Sequence, residues 1–469
     1  MKSKIILLPL LFLSFIYACD KQSFVTDKDA RLEFSVDTLT FDTVFQSIGS
    51  ATRIFTVKNP HNQSVEISSI VLARGNESCF RVNINGVPSV EIKNQVIGPN
   101  DSIYIFADVT IDPAENSLLE KDSLIFITNG NYQDVNFEAY GQDVHLINDS
   151  LLDTQTWTAD KPYLITNSMA VDSNHTLTLT EGCHLHFSRH SRLIVLGTII
   201  AEGSLNNPII FEGDRLEHMY FDVPGQWGGI WLTKFSNNNV FNFTEIKNAN
   251  IGIQVDSVQN SNPMLTIYNS KIEHHTQFGI FAQMSTVLGA NLLFADCGQY
   301  AIALTRGGAY RFYHSTIANY WHSTIRNTPS VLVNNYFVHN GAAYVYNLNE
   351  AYFGNCIISG NQQTEFAADL YTDGVNANYM LDHCMLDLDD DSELNPDDVN
   401  HFINPIVNGS ANFMSTQEYN FELDTLSMAK DVGSTEIVNE LPSVLNTDLL
   451  NQSRLSDQAP DLGTYERVE

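Results

Sequence analysis

Apolar residues in the second half of the chain recur in pairs at regular intervals. Two sets that are offset by two positions share a spacing of 16: Leu177, Leu193 and Ile209 form one, and Leu179, Val195 and Phe211 the other. Residues i and i+2 of a β-strand lie on the same face. The return of such a pair after a constant interval predicts that each strand lies over the preceding one, as in a solenoid.

The repeat continues toward the C-terminus with wider spacing. It passes through Ile230/Leu232 and Ile251/Ile253, and two columns then step together: Ile246, Ile272, Phe294 and Ile317 in one, and Ile253, Ile280, Ile302 and Ile325 in the other. The runs are short and are interrupted by Asn and Gly, whereas each unit of a helical repeat needs ten or more residues of 3.6 periodicity. The sequence therefore predicts a parallel β-helix over residues 157–469, including a C-terminal closing segment.

Several motifs in this region resemble right-handed parallel β-helix proteins of Bacteroidota cell envelopes. They lie at residues 177–182 (LTLTEG), 194–203 (IVLGTIIAEG), 207–211 (NPIIF) and 225–231 (GQWGGIW). Residues 427–433 and 459–466 resemble the closing motifs of the same family. The resemblance implies a right-handed β-helix but no particular reaction, because one fold carries many activities.

Residues 32–146 alternate short β-rich runs with turn residues. The runs lie at 41–45, 53–57, 65–72, 102–111, 123–128 and 134–139, and Asn-Pro and Asn-Gly pairs stand among the turns. This spacing predicts an antiparallel β-sandwich, so the expected fold class is all-β throughout. Residues 47–60 and 65–70 resemble immunoglobulin-like domains of the ASH/Hydin type, which implies a spacer or adhesion module.

The N-terminus carries the features of an export signal. Lys2 and Lys4 precede an apolar run at residues 5–16, which is followed by Ala18 and Cys19. The run is too short to span a bilayer as a helix. The pattern resembles a bacterial lipoprotein signal. That resemblance implies removal of residues 1–18, a lipid anchor on Cys19 that makes the membrane a partner, a tether over 19–31, and an outer-membrane location at the cell surface or on the periplasmic face. An ordinary secretory signal is the alternative.

The charge balance limits the other partners. Lys and Arg total 24 against 55 Asp and Glu, which gives a formal net charge of −31. This charge repels phosphate groups, so we expect no nucleic-acid partner. It also disfavours polyanionic glycans relative to neutral ones.

The cysteines do not form a disulfide framework. If Cys19 carries lipid, an odd number remains: Cys79, Cys183, Cys297, Cys356 and Cys384. Scattered cysteines in a large chain act mainly as small buried apolar residues, although one or two bridges stay open. No Cys pair or Cys/His cluster shows zinc-ligand spacing, so the sequence predicts no metal site and no cofactor.

A row of polar residues follows one apolar column. Asn248, His274, Asp296 and Asn319 each lie two residues after a column member, so we expect them to stack at a turn. Such a row can satisfy backbone groups of neighbouring coils. Alternatively, His274 and Asp296 form an acid/base pair. A glycosidase would need a second carboxylate beside the same sugar bond, and the sequence shows no such partner.

Aromatic residues gather between positions 310 and 321. Those with a polar edge are the candidate glycan contacts: Tyr310, Tyr313, Tyr320 and Trp321. Exposed Tyr and Trp suit stacking on sugar rings, while buried stacking inside the solenoid is the alternative.

Two functions remain open. The favoured one is a non-enzymatic, lipid-anchored envelope protein whose β-helix rod binds a glycan or another protein, with no catalytic residues. The alternative is a polysaccharide lyase or glycoside hydrolase acting on the β-helix face. A lyase would use Lys271, Arg306 or Arg311 as base, with Glu273, Asp296 or the acidic run at 387–393 as calcium ligands. The Asn-Thr-Asp, Asp-Asp and Gly-His-Gly motifs of polygalacturonases are absent.

Overall fold

A computed structural model describes residues 23–46, 48–112, 118–256, 263–456 and 458–467. The chain divides into two compact units, Met1–Asp143 and Val144–Glu469. The predicted signal at 1–18 and the anchor Cys19 lie outside the described residues. Within them, the α-helices are α1 (Thr435–Val438) and α2 (Pro442–Leu445), and no helix is long and apolar enough to cross a bilayer.

The first unit is built from short strands: β1 Glu33–Phe34, β2 Thr38–Phe45, β3 Arg53–Lys58, β4 Val65–Leu72, β5 Phe80–Ile84, β6 Val87–Pro88, β7 Glu91–Ile97, β8 Ser102–Val109, β9 Leu119–Thr128 and β10 Asn131–Gln142. A 3₁₀ helix, Gly75–Glu77, precedes β5. The strands form two five-stranded sheets, in the orders β1-β3-β8-β5-β6 and β2-β10-β9-β4-β7.

The two sheets of the first unit share one apolar core because side chains alternate along each strand. In β8, for example, Ile103, Ile105 and Val109 are buried while Tyr104 faces solvent. The predicted all-β sandwich is thus present, and its predicted runs coincide with β2, β3, β4, β8, β9 and β10. The pair β2–β10 is parallel rather than antiparallel. Most of the unit's sequence separates β2 from β10, so no hairpin forces these two strands to run antiparallel.

The strands of the second unit are β11 His145–Leu152, β12 Gln155–Trp157, β13 Tyr163–Val171, β14 Thr176–Leu179, β15 His184–Phe187, β16 Arg192–Val195, β17 Thr198–Glu202, β18 Ile209–Gly213, β19 Trp227–Leu232, β20 Asn239–Asn242, β21 Thr244–Lys247, β22 Ala249–Val255, β23 Leu265–His275, β24 Phe278–Cys297, β25 Tyr300–Tyr313, β26 Thr316–Asn319, β27 Val331–Asn334, β28 Tyr336–His339, β29 Ala342–Val345, β30 Leu348–Gly354, β31 Ile357–Gly360, β32 Phe366–Asp369, β33 Met380–Asp382, β34 Met385–Leu386, β35 Phe402–Ile403, β36 Ile406–Val407, β37 Phe413–Ser415 and β38 Asn420–Leu423. A 3₁₀ helix, His218–Tyr220, precedes β19.

Strands β11 to β36, without the hairpin β28–β29, join into one 24-stranded sheet that coils on itself. Strands β11 and β12 therefore start the solenoid before residue 157, the start expected from the sequence. Each strand pairs in parallel with a strand of the next coil, so the fold is a parallel β-helix.

Each coil passes through three faces, which we call A, B and C. Face A stacks Leu185, Phe211, Ile246, Ile272, Phe294, Ile317, Ile358 and Leu386. Face B stacks Leu193, Ile230, Ile253, Ile280, Ile302, Val331 and Phe366. Face C stacks Leu179, Ala201, Phe241, Ile267, Gly289, Phe312, Phe353, Leu381 and Phe402.

The columns predicted from the later spacings are confirmed, with two exceptions. Ile246 lies over Ile272 and then Phe294, and Ile253 lies over Ile280. The pair Ile230/Leu232 is followed by Ile253/Val255 rather than by Ile251/Ile253, because a β-bulge after Gly229 shifts the register by one residue. The second exception is Ile325, which is 86% exposed. Val331 takes its place over Ile302, because the chain makes a longer excursion before β27.

The reading of the 16-residue spacing was wrong. Leu177 lies on face C and pairs with Ile199, whereas Leu193 lies on face B and pairs with Ile230. Ile209 lies on face A. Because a coil holds three strands, a step of 16 leads to a different face of the next coil rather than to the strand directly above. The solenoid was inferred correctly from a spacing that does not connect stacked residues.

After β36 the chain turns back along the outer side of face A. This closing segment, residues 413–467, packs Phe421, Leu449 and Tyr465 against a small apolar patch of face A. Thr464 fixes the contact: Thr316 N donates to Thr464 Oγ1 at 2.8 Å, and Thr464 N donates to Thr316 Oγ1 at 2.9 Å. A patch of the solenoid that would otherwise be exposed is thus covered.

The five cysteines among the described residues are free thiols, and all except the half-buried Cys79 are buried. This agrees with their predicted role as small core residues.

Candidate functional site

The predicted polar row lies at the turn where face A gives way to face B. Asn248, His274 and Asp296 adopt φ values of 64°, 60° and 53°, and all three are buried, as is Asn319. This left-handed backbone is uncommon for non-Gly residues, and Asn, Asp and His are enriched in it. The turn therefore selects these polar side chains in successive coils.

The two asparagines satisfy backbone groups, as one alternative predicted. Asn248 Nδ2 donates to the carbonyls of Phe221 and Val223 at 2.8 and 3.0 Å. Asn319 Oδ1 accepts a hydrogen bond from Cys297 N at 2.8 Å. These residues are structural.

His274 and Asp296 behave differently, because they bind each other. The distance between His274 Nδ1 and Asp296 Oδ2 is 2.9 Å, and both side chains are buried. On its other side, His274 Nε2 lies 3.5 Å from Oδ1 of Asp222, a residue that is 65% exposed. The imidazole therefore lies between a buried carboxylate and an accessible one.

The surroundings favour the protonated form of this imidazole. Burial lowers the pKa of His274, but the hydrogen bond to Asp296 and the charges of Glu273, Asp296 and Asp222 outweigh it and raise the pKa above its usual value. The adjacent His275 has no such partner, and burial lowers its pKa to about 3. Burial also raises the pKa of Glu273. His274 is thus a charged or readily charged group, while His275 is neutral.

The closing segment completes the site. It places the Tyr419 ring edge-on to His274, with ring centroids 4.5 Å apart. Burial, followed by the charge of Asp296, raises the pKa of Tyr419, so its hydroxyl stays protonated. His322 Nδ1 lies 3.8 Å from the buried Asp296 Oδ1, and its ring centroid is 6.3 Å from that of Tyr419. His274 thus contacts Asp296, Asp222 and Tyr419, and His322 approaches the same cluster through Asp296.

A cleft of about 650 Å³ opens beside this cluster. It is lined by Asp222, Val223, Pro224, Thr276, Trp321, His322, Ser323, Thr324, Gln417 and Tyr419. The lining combines hydroxyl, amide, imidazole and carboxylate groups with aromatic and aliphatic carbon, and it contains no Lys or Arg. We call it the His274 cleft. Chemically, it can hydrogen-bond a polyhydroxylated molecule. The buried His274 does not line the cleft itself and reaches it through Asp222.

The predicted aromatic contacts are for the most part not available to a ligand. Tyr310 is fully buried in the solenoid core, where its hydroxyl donates to Gly307 O at 2.7 Å, and Tyr313 is buried under α1 and α2. Tyr320 packs against Phe421 of the closing segment. The expectation of an exposed strip is therefore wrong for Tyr310 and Tyr313, which are buried, while Tyr320 is half-buried beside the closing segment. Trp321 is also buried for most of its surface, but it borders the His274 cleft.

Each basic residue of the lyase alternative has a partner of its own, and Lys271 also lies near the candidate carboxylate Glu273 on β23. Lys271 Nζ lies 3.5 Å from Glu245 Oε1, and Arg311 Nε donates to Glu350 Oε2 at 2.7 Å. Arg306 lies over the Phe337 ring, 4.4 Å from its centroid. None of the three lines the His274 cleft. In the acidic run, Asp387 accepts from Ser359 Oγ and Gly360 N, which is a local structural role.

One polar cluster was missed by the sequence analysis. His184, His186 and Glu212 lie together on the outer side of face A, with one potential ligand atom each within 4.8 Å of the others. The usable signal was the His-x-His spacing in a predicted strand, which puts both rings on one side. Glu212 could not be assigned to them without the register between coils.

The comparisons with known proteins support the fold. Residues 161–317 match a family model described as "Right handed beta helix region". That part of the chain is a right-handed parallel β-helix, and the protein is an all-β protein with a β-helix and a separate N-terminal β domain. No curated protein matches the chain.

Three solved structures show distant likeness to this chain. A protein of unknown function from Porphyromonas gingivalis W83 is 12% identical over 26% of this chain and 50% of its own, with a TM-score of 0.19. A family 123 glycoside hydrolase from Clostridium perfringens is 6% identical over 25% and 26%, with a TM-score of 0.18. The catalytic unit of a GH87 alpha-1,3-glucanase from Streptomyces thermodiastaticus strain HF3-3 is 12% identical over 71% and 67%, with a TM-score of 0.26. This chain thus spans half or less of the first two, and none of the three carries an argument about activity.

Proposed function

We propose that the protein is a lipid-anchored, glycan-binding β-helix protein and that the His274 cleft holds a neutral saccharide. The observation that carries the proposal is the cleft itself. It presents Asp222, Thr276, His322 and Gln417 to one space, with the half-buried Tyr419 ring in its wall and the largely buried Trp321 at its edge. Hydroxyl-rich sugars need convergent donors and acceptors beside an apolar ring face, and the polar groups and the Tyr419 ring supply them.

The charge supports a neutral ligand over an acidic one. The chain carries a formal net charge of −31, and the cleft lining contains Asp222 without Lys or Arg. A uronic-acid polymer would therefore meet repulsion both at a distance and inside the cleft. A neutral glycan meets neither.

Binding of a panel of neutral and uronic-acid polysaccharides to the purified protein, by calorimetry with and without calcium, tests the proposal. His322→Ala removes an exposed imidazole from the cleft, and His339→Ala removes an exposed imidazole from the hairpin β28–β29. We expect a neutral glycan to bind the wild type and the His339 variant, and to bind the His322 variant at least several-fold more weakly. Equal affinity of both variants, or no binding by the wild type, would overturn the proposal.

A second candidate function, acid/base cleavage of a bound glycan, is favoured by one observation. His274 lies between the buried Asp296 and the accessible Asp222, which is the environment of a tuned general acid or base. Appearance of shortened chains with the wild type, and their absence with His274→Asn, would establish an enzyme. An unsaturated, ultraviolet-absorbing product would identify a lyase, and a saturated reducing end a hydrolase.

Anchoring through Cys19 is supported by the basic residues Lys2 and Lys4, the apolar run and the Ala18-Cys19 pair. Metabolic labelling with an alkyne fatty acid should mark the wild type and leave Cys19→Ala unmarked. Protease treatment of intact cells then distinguishes a cell-surface location from a periplasmic one, because the protease reaches only protein at the cell surface. Labelling of the Cys19 variant would contradict the anchor.

A further inference from the structure

Two histidines of β15 point to the same side of face A. Leu185 and Phe187 enter the core, so His184 and His186 lie on the outer side, with ring centroids 4.0 Å apart. In the next coil, β18 places Glu212 directly opposite His186 in the parallel register. The three side chains are therefore gathered by strand geometry rather than by a loop.

The distances suit a shared ion. His184 Nε2 lies 2.7 Å from Glu212 Oε1, and His186 Nδ1 lies 3.4 Å from the same oxygen. One ligand atom from each residue lies within 4.8 Å of the others. Ligand atoms about 2.0–2.2 Å from a zinc ion stand about 3.3–3.6 Å from one another, so small side-chain adjustments suffice.

We propose that His184, His186 and Glu212 form a binding site for a divalent transition-metal ion of the zinc type, with a remaining position open to solvent. Two imidazoles and one carboxylate are a preferred ligand set for such ions. The open position follows from His184, whose side chain is 32% exposed.

Lys247 sets the affinity of the site. Its Nζ lies 2.8 Å from Glu212 Oε2, the oxygen that does not contact the histidines. It can keep this contact while Oε1 binds the ion, but its positive charge repels a divalent cation at short range. Replacing Lys247 by Met, which is neutral and similar in length, removes this repulsion. The affinity for the ion should then rise about tenfold.

The test uses the purified full chain without a polyhistidine tag, stripped with a chelator. Zinc affinity is measured by competition with a chromogenic chelator, and Co²⁺ reports the ligand geometry through its visible absorption. We expect one ion per chain, and at least a tenfold loss of affinity for His184→Ala and Glu212→Gln. His339→Ala should bind like the wild type.

Misfolding cannot imitate the whole pattern. Circular dichroism excludes unfolded variants, and Lys247→Met is expected to gain affinity, which a damaged fold would not produce. Absence of zinc binding to the wild type at about 100 μM, equal affinity of the wild type and Glu212→Gln, or weaker binding by Lys247→Met would each overturn the proposal.

Discussion

The His274 cleft depends on a buried ion pair at the end of the closing segment. Arg454 and Glu466 are both fully buried, and Arg454 Nη1 donates to Glu466 Oε2 at 3.2 Å. Arg454 Nη2 also donates to Asn291 Oδ1 of the solenoid at 3.1 Å and to the carbonyls of Gly463 and Thr464 at 3.0 Å. Because the same segment carries Tyr419, loss of this anchor should loosen one wall of the cleft.

The substitution Glu466→Gln removes the carboxylate that is hydrogen-bonded to Arg454, while the buried carboxylates of Asp448 and Asp461 remain near the guanidinium. Breaking a buried pair in this way costs about 3–5 kcal/mol. We expect the lower end, about 3 kcal/mol, because Asn291 and the two carbonyls still accept hydrogen bonds from the guanidinium. The matched control is the exposed Glu436→Gln, for which the change should stay within about 0.5 kcal/mol.

Hydrogen exchange of residues 413–467, followed peptide by peptide, measures the local opening free energy directly. A cost of about 3 kcal/mol raises the open population roughly a hundredfold, because each 1.4 kcal/mol is a factor of ten. The double variant Arg454→Met/Glu466→Met should recover only part of the loss, since it removes this ion pair but leaves Asp448 and Asp461 buried without the arginine charge. Exchange in Glu466→Gln that equals exchange in the Glu436 control would refute the role assigned to the pair.

Three further predictions follow from the fold and the cluster. Phe294→Ala empties a fully buried position of the face A column and should cost about 3–5 kcal/mol in chemical unfolding, against under about 0.5 for the control Phe235→Ala, which is 61% exposed. The pKa of His274 is higher in the folded protein than in the unfolded chain, so protonation of His274 stabilises the fold. This stabilisation is complete at a pH below the pKa of histidine in the unfolded chain, and it is lost as the pH rises through the raised folded-state pKa. The difference in melting temperature between wild type and Asp296→Asn should therefore become smaller toward alkaline pH. In NMR titration, the ring signals of His274 should report a lower pKa in Asp296→Asn than in the wild type.

The periodic part of the fold was readable from the sequence because stacking is local and repetitive. The face A column from Ile246 to Ile317 follows directly from spacing, since each coil there has nearly the same length. The assignment of Ile325 failed where a longer excursion changed the coil length. Spacing alone also cannot tell one face from another, which is why the 16-residue step was misread.

The site was predictable in part. The stacking of His274 and Asp296 follows from the same column arithmetic, and the structure confirms their contact. Asp222 and Tyr419 could not be predicted as partners, because one comes from a loop in another coil and the other from the returning closing segment. The same segment covers Tyr320, so exposure of the aromatic cluster could not be judged before its path was known.

A crystal structure of the protein with the neutral oligosaccharide that binds most tightly tests the central claim most directly. The proposed function predicts sugar density in the His274 cleft, within hydrogen-bonding distance of Asp222 or His322 and beside Trp321. Density on another face of the solenoid or on the N-terminal β domain, with the cleft empty, would contradict it.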